Sequence, residues 1–307
     1  MLKSIAIAIA TLFALLVLAG CGNSAPTADP AATPTRAAIT PFSGAYLGQP
    51  TPGSSPAIFA RNIISGELHT PPVFSQDGRE AYWGMQGNYI YTTRFENGVW
   101  TAPERVAFSA SMTDYRDPFL APSGDRLFFL SKGRIPGSKL PEKENIWYVD
   151  KTTSGWGEPQ PVSEEVNAHE THWQLSVDNK GDLYFTSRNA GLEDIYVSRY
   201  ANGQYVKPER LSDAVNTEDL CEMTPYIAPD GSYLIFARYD PKNSNSIRLY
   251  ISYAEKGGWT EAVLIAKVRY GLCPVVTPDG QYLLYLSSPQ SVSWMNTEFI
   301  EALRPAP

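Results

Sequence analysis

Pro72-Val73-Phe74-Ser75-Gln76-Asp77-Gly78 is the stretch on which the fold turns, because it recurs along the chain. The next copy is Pro118-Phe119-Leu120-Ala121-Pro122-Ser123-Gly124. A divergent third reads Gln174-Leu175-Ser176-Val177-Asp178-Asn179-Lys180-Gly181. Pro225-Tyr226-Ile227-Ala228-Pro229-Asp230-Gly231 and Pro274-Val275-Val276-Thr277-Pro278-Asp279-Gly280 complete the set. The glycines are spaced 46, 57, 50 and 49 residues apart. A period near 50 residues marks a repeat architecture.

Each copy is followed by an aromatic or apolar pair: Tyr82-Trp83, Phe128-Phe129, Tyr184-Phe185, Ile235-Phe236 and Leu284-Tyr285. Strand, Asp-Gly-type turn, strand is a hairpin signal, since glycine accepts the positive φ of a tight turn. A second hairpin follows. Its first strand carries Ile90-Tyr91, Ile146-Trp147, Ile195-Tyr196 or Leu249-Tyr250. Its turn is Asn97-Gly98, Ser154-Gly155, Asn202-Gly203 or Gly257-Gly258, and Trp100, Trp156, Tyr205 or Trp259 comes next. Pro103, Pro159 and Pro208 then suit an outer edge strand, where a missing N–H does no damage.

Two hairpins make a four-stranded antiparallel unit, the blade of a β-propeller. The expectation is therefore an all-β fold with a single propeller of five blades. Six is the alternative if the Lys132–Asn145 insertion hides a further element. Pro56-Ala57-Ile58-Phe59 looks like an orphan outer strand, and the last unit lacks one after Ser291-Val292-Ser293-Trp294. Pairing the two would close the ring and satisfy two open edges. The repeat resembles the WD-like, TolB-type propeller repeat over roughly residues 56–303. That resemblance implies the fold and leaves function open, because one fold hosts many functions. TolB itself carries a separate domain ahead of its propeller, where this chain has a Pro- and Ala-rich stretch.

Residues 1–20 read as a targeting segment, with Lys3 ahead of an apolar run over residues 5–18. Leu18-Ala19-Gly20-Cys21 resembles a bacterial lipobox. The resemblance implies cleavage before Cys21, its lipidation, and a membrane partner reached through the lipid. Residues 21–55 contain six prolines and almost no charge, so they are expected to form a tether ahead of a propeller over residues 56–307. The localisation that follows is the cell envelope. A formal net charge of -7 argues against nucleic acid as a partner. In an oxidising compartment Cys221 and Cys273 either pair or remain as buried thiols.

Strand alternation puts the Asp-Gly and Asn-Gly turns on one face of the ring. The loops leading into each first strand lie on the other face, around the channel mouth. Those lead-in loops carry Glu67 and His69, then Asp114, Tyr115, Arg116 and Asp117. They continue with His169, Glu170, His172 and Trp173, then Glu218, Asp219, Cys221 and Glu222, then Tyr270 and Cys273. The candidate ligand-binding set is His69, Tyr115, Arg116, Asp117, Glu170, His172, Trp173 and Glu222, with Arg188 and Arg238 from the neighbouring loops. Tyr115 and Trp173 would stack on a sugar ring and Arg116 would bond its hydroxyls. Trp173 stands where the other units start the strand with proline, so channel lining is its bland reading. Arg188 and Arg238 occupy equivalent repeat positions, so an ion pair with a neighbouring blade competes with ligand contact. His169, Glu170 and His172 match no known metal spacing, and neither metal nor cofactor is expected. The function expected is a binding or scaffolding module for a glycan or protein. The alternative is a glycosidase or polysaccharide lyase using Asp117 and Glu222 as acid and base.

Overall fold

The computed structural model describes residues 44–108, 112, 114–189 and 191–306, with the side chains of Thr171, His172 and Asn189 outside the description. The targeting segment, Cys21 and residues 22–43 also lie outside it.

Five antiparallel blades follow in chain order. The inner three strands of the first blade are Val73–Phe74, Glu80–Met85 and Tyr89–Glu96. Those of the second are Arg116–Leu120, Arg126–Ser131 and Asn145–Thr152. The third has Thr171–Val177, Leu183–Asn189 and Leu192–Ser198, and the fourth Cys221–Ile227, Tyr233–Asp240 and Asn243–Glu255. The fifth has Leu272–Val276, Tyr282–Ser288 and Ser291–Asn296. The second strand of each blade is sandwiched between neighbouring blades, so both its faces need apolar residues. Leu127, Phe128, Phe129 and Leu130 accordingly form an unbroken buried run instead of an alternating one.

The outer strand is broken where proline falls. Val99–Trp100 and Glu104–Arg105 both pair with Tyr89–Glu96, on either side of Pro103. In the second, third and fourth blades the aromatic after the second turn wedges against the preceding blade, whereas Trp100 of the first packs on Phe74 and donates to the Gly44 carbonyl. Trp156 packs edge-on against Tyr82, Tyr205 against Phe128 and Trp259 against Tyr184.

The ring closes as the sequence implies. Ala57–Ile58 pairs antiparallel with Ser291–Asn296, with Ala57 opposite Trp294 and Ile58 opposite Ser293. The fifth blade has no wedge turn; the helix Glu298–Ala302 follows its third strand, burying Phe299 and Ile300. One boundary differs from expectation. Residues 44–55 are not tether but belong to the propeller unit. Tyr46 packs edge-on against Phe74, Tyr282 and Trp294 and donates its hydroxyl to Asp279, while Leu47 is fully buried. The apolar pair Tyr46-Leu47, in an otherwise Ala/Pro-rich stretch, supplies the burial that holds this strap down.

Candidate functional site

The inner strands share a feature that the repeat did not announce. Ahead of the register-setting residues Phe119, Ser176, Tyr226 and Val275, each strand bulges against its partner. One bulge residue in each takes a positive φ: Asp117 (48°), Trp173 (64°), Thr224 (53°) and Cys273 (53°). These are unfavourable for residues with a Cβ, and most of all for β-branched Thr224. Trp173 therefore does not start its strand in place of proline. It occupies the bulge position, and the third blade carries one extra residue there, Gln174.

The bulges turn these residues toward the channel axis. Thr224 N–H donates to Thr186 Oγ1 (3.0 Å), and Cys273 N–H donates to Thr224 Oγ1 (3.2 Å). Two contacts cross the channel between blades that are not neighbours. His69 of the first blade stacks on Trp173 of the third, with centroids 5.7 Å apart and planes 18° from parallel. Gln174 Nε2 donates to the Pro274 carbonyl of the fifth blade (3.0 Å). Below this layer Val73, Phe119, Val177, Ile227 and Val275 close around a residual cavity of about 40 Å³. The channel is thus a filled core with its chemistry at one end.

At that end His69 Nδ1 makes a short bond to Asp117 Oδ1, and Asp117 is fully buried. Burial pulls the His69 pKa down, but the Asp117 carboxylate overrides it and holds the value above normal. Asp117 Oδ2 and Gln174 Oε1 are buried with no protein partner. Arg116 Nε donates to Asp114 (3.1 Å) and its Nη1 to Glu144 (3.3 Å). Glu144 was not among the residues singled out from the sequence. Burial, and then the nearby Asp117 charge, push its pKa to about 7.

Other expected residues are placed elsewhere. Tyr115 is buried between Phe108 and Phe129 and donates to the Met112 carbonyl, so it is core and not a stacking platform. Arg188 pairs with Glu193 (2.6 Å) and Arg238 with Glu222 (2.7 Å). Both are cross-strand partners inside one blade, not bridges to the next. Glu222 is fully buried and also accepts from Thr217 N–H and Oγ1. Asp117 and Glu222 are thus held in separate pairs, with His69 and with Arg238. Glu170 is exposed at the mouth, and the His172 side chain lies outside the described residues. His169 is half-buried against Tyr196, and burial lowers its pKa. Among the described residues no three His, Cys, Asp or Glu side chains converge as a metal site.

Cys221 and Cys273 are separate buried thiols, so the pairing considered for them is not made. They occupy different repeat positions. Cys221 lies opposite Tyr239, at the strand's start, whereas Cys273 is a bulge residue whose Sγ approaches the His69 carbonyl (3.7 Å). Burial raises both thiol pKa values, that of Cys221 to about 11.

Fold and site together define a closed five-bladed propeller with a polar cluster at one channel mouth. No family model matches the sequence, and no curated protein matches it. Among solved structures, an α-L-arabinofuranosidase from Lactobacillus brevis is similar at 11% identity and a TM-score of 0.51, over 75% of this chain and 90% of that one. A structure assigned as TolB from Agrobacterium tumefaciens is 15% identical with a TM-score of 0.41, over 74% and 90%. A gluconolactonase from Xanthomonas campestris is 11% identical with a TM-score of 0.48, over 80% and 96%. At these identities the likeness is one of fold.

Proposed function

We propose that the chain is a glycan-binding propeller of the cell envelope, held to the membrane by a lipid on Cys21. The observation that carries the reading is Trp173. Its backbone is held at positive φ, and its half-buried indole stacks on His69 beside the Arg116–Glu144–Asp114 cluster. Strained backbone clusters where function needs a side chain presented in one orientation. An aromatic plane next to paired donors and acceptors suits a sugar ring. Residues 44–48 meet the propeller on the turn face, where Tyr46 donates to Asp279.

A thermal-shift screen of neutral glycans and peptidoglycan fragments tests this. A glycan at 100 times its Kd adds about 2.7 kcal/mol. For a domain of this size that is a rise of roughly 5–10 °C. The rise should vanish in Trp173→Ala and Arg116→Ala. No shift from any glycan rejects the reading in favour of a protein scaffold.

Glu144 favours a second reading, that of a carbohydrate-active enzyme. A carboxyl with a pKa of about 7 is still partly protonated at neutral pH and can serve as a general acid. Turnover of aryl glycosides that disappears in Glu144→Gln, with binding retained, would establish it.

A further inference from the structure

We propose a second saccharide site on the opposite, turn-bearing face, in the cleft between the second and third blades. It is independent of the channel mouth. The three wedge contacts between successive blades are not equal. Trp156 meets Tyr82 and donates its indole N–H to the Tyr82 hydroxyl (3.1 Å), and Trp259 meets Tyr184. Between the second and third blades both partners are smaller, Tyr205 against Phe128. There the blades leave an open cleft of about 660 Å³. That volume falls within the usual range for small-molecule sites, roughly 300–1,000 Å³.

The lining selects the ligand. Tyr200 and the largely buried Tyr205 both line the cleft, their centroids 5.0 Å apart and their rings tilted by 56°. Arg126 lies over Tyr148, 4.0 Å from its centroid, and makes a two-pronged pair with Asp150 (2.6 and 3.2 Å). Lys151 is matched by Glu80 (3.3 Å), and Asp125 is tied to Ser123. Asp178 uses Oδ1 to accept the N–H groups of Lys180 (2.9 Å) and Asp182 (3.0 Å). Each basic group in the cleft is thus already neutralised, and no uncompensated cation remains to select phosphate or carboxylate. What remains is an aromatic surface beside mutually paired donors and acceptors, which complements the ring face and hydroxyls of a neutral pyranose. The fit is to a short neutral oligosaccharide.

The test is calorimetric titration of the full-length protein in detergent with maltotriose, cellotriose, xylotriose and chitotriose. Two variants address the cleft. Tyr200→Ala removes one of the two tyrosines, and the double variant Phe128→Tyr/Tyr205→Trp installs the pair that fills the other two interfaces. Trp173→Ala addresses the mouth. The expected result is a trisaccharide binding event whose affinity falls at least tenfold in both cleft variants and which persists in Trp173→Ala, while a glycan held at the mouth loses its own binding in that variant. Because the double variant copies a native interface, it should keep the wild-type Tm, which separates lost binding from lost folding. Three outcomes overturn the cleft site. They are no binding of any trisaccharide at millimolar concentration, binding lost only in Trp173→Ala, and binding that both cleft variants leave intact. The mouth site fails separately, if Trp173→Ala leaves every interaction intact.

Discussion

Glu144 faces Asp117, which raises its pKa, and Arg116, His69 and Lys132, which lower it; with burial the result is about 7 against an ordinary value near 4.5. The folded state therefore binds this proton more tightly than the unfolded chain does. Its contribution is fully present below the unfolded value and is lost as pH rises through about 7. His69, also raised, acts in the same direction at its own higher window. Each pKa unit corresponds to about 1.4 kcal/mol, so the effect is on the order of a few kcal/mol. The urea midpoint should fall between pH 5 and pH 8, and Glu144→Gln should flatten most of that slope. An unchanged slope in the variant would refute the assignment. Glu222 makes a contrasting case. Removing it leaves Arg238 largely buried without its partner, and breaking such a pair costs about 3–5 kcal/mol. Glu222→Gln should lose stability on that scale by urea unfolding; a loss below 1 kcal/mol would mean the pair is not buried as described. Asp117, Arg116 and Trp173 are legible in the sequence because they precede a recognisable repeat. Glu144 is not, because it lies in the Lys132–Asn145 insertion, where the repeat gives no register. Its role depends on Arg116, which comes from a different loop.

At the level of the strand, hairpins were legible and bulges were not. Alternation, Asp-Gly turns and edge prolines each leave a side-chain signature. A positive φ at the residue before proline leaves none, since Asp117, Thr224 and Cys273 share no chemistry. Trp173 hid it further behind an extra residue. The bulges matter because they set how closely the loops approach the axis. Gly84, on the second strand of the first blade, allows that approach. A Cβ there would lie 2.9 Å from Thr70 Oγ1, 3.3 Å from His69 Cβ and 3.4 Å from the Asp117 nitrogen. Gly84→Ala should cost about 1–3 kcal/mol by overpacking and should also displace His69 from Asp117. Calorimetric Tm and the imidazole titration followed by NMR read the two effects. An unchanged Tm together with an unchanged titration would show that the first blade does not approach the axis as closely as described.

Over the whole molecule the blade count and the closing strand could be read, because both follow from a repeat with mismatched ends. The strap could not, because composition alone assigned residues 44–55 to the tether. Closure joins residues far apart in the chain. Ala57 pairs with Trp294, Phe59 N–H bonds the Val292 carbonyl (2.8 Å), and Asn296 N–H bonds the Gly53 carbonyl (3.0 Å). Phe59, 1% exposed, packs 4.9 Å from Trp294, and Leu47 is 0% exposed. Burial of such side chains is worth about 2–5 kcal/mol each when truncated, a large part of a typical domain's net stability. Removing the strap together with Ala57–Ile58 would also bare the edge of Ser291–Asn296, a template for pairing with a second chain. A chain begun at Gly44 should therefore unfold in urea with the same midpoint and slope as one begun at Gly22. A chain begun at Arg61 should lose its cooperative transition and aggregate, as seen by circular dichroism and sedimentation. If the Arg61 form stayed monomeric with an unchanged midpoint, the ring would be closed by something other than its two ends. If the Gly44 form unfolded early, the contacts that hold the strap would have to begin before residue 44.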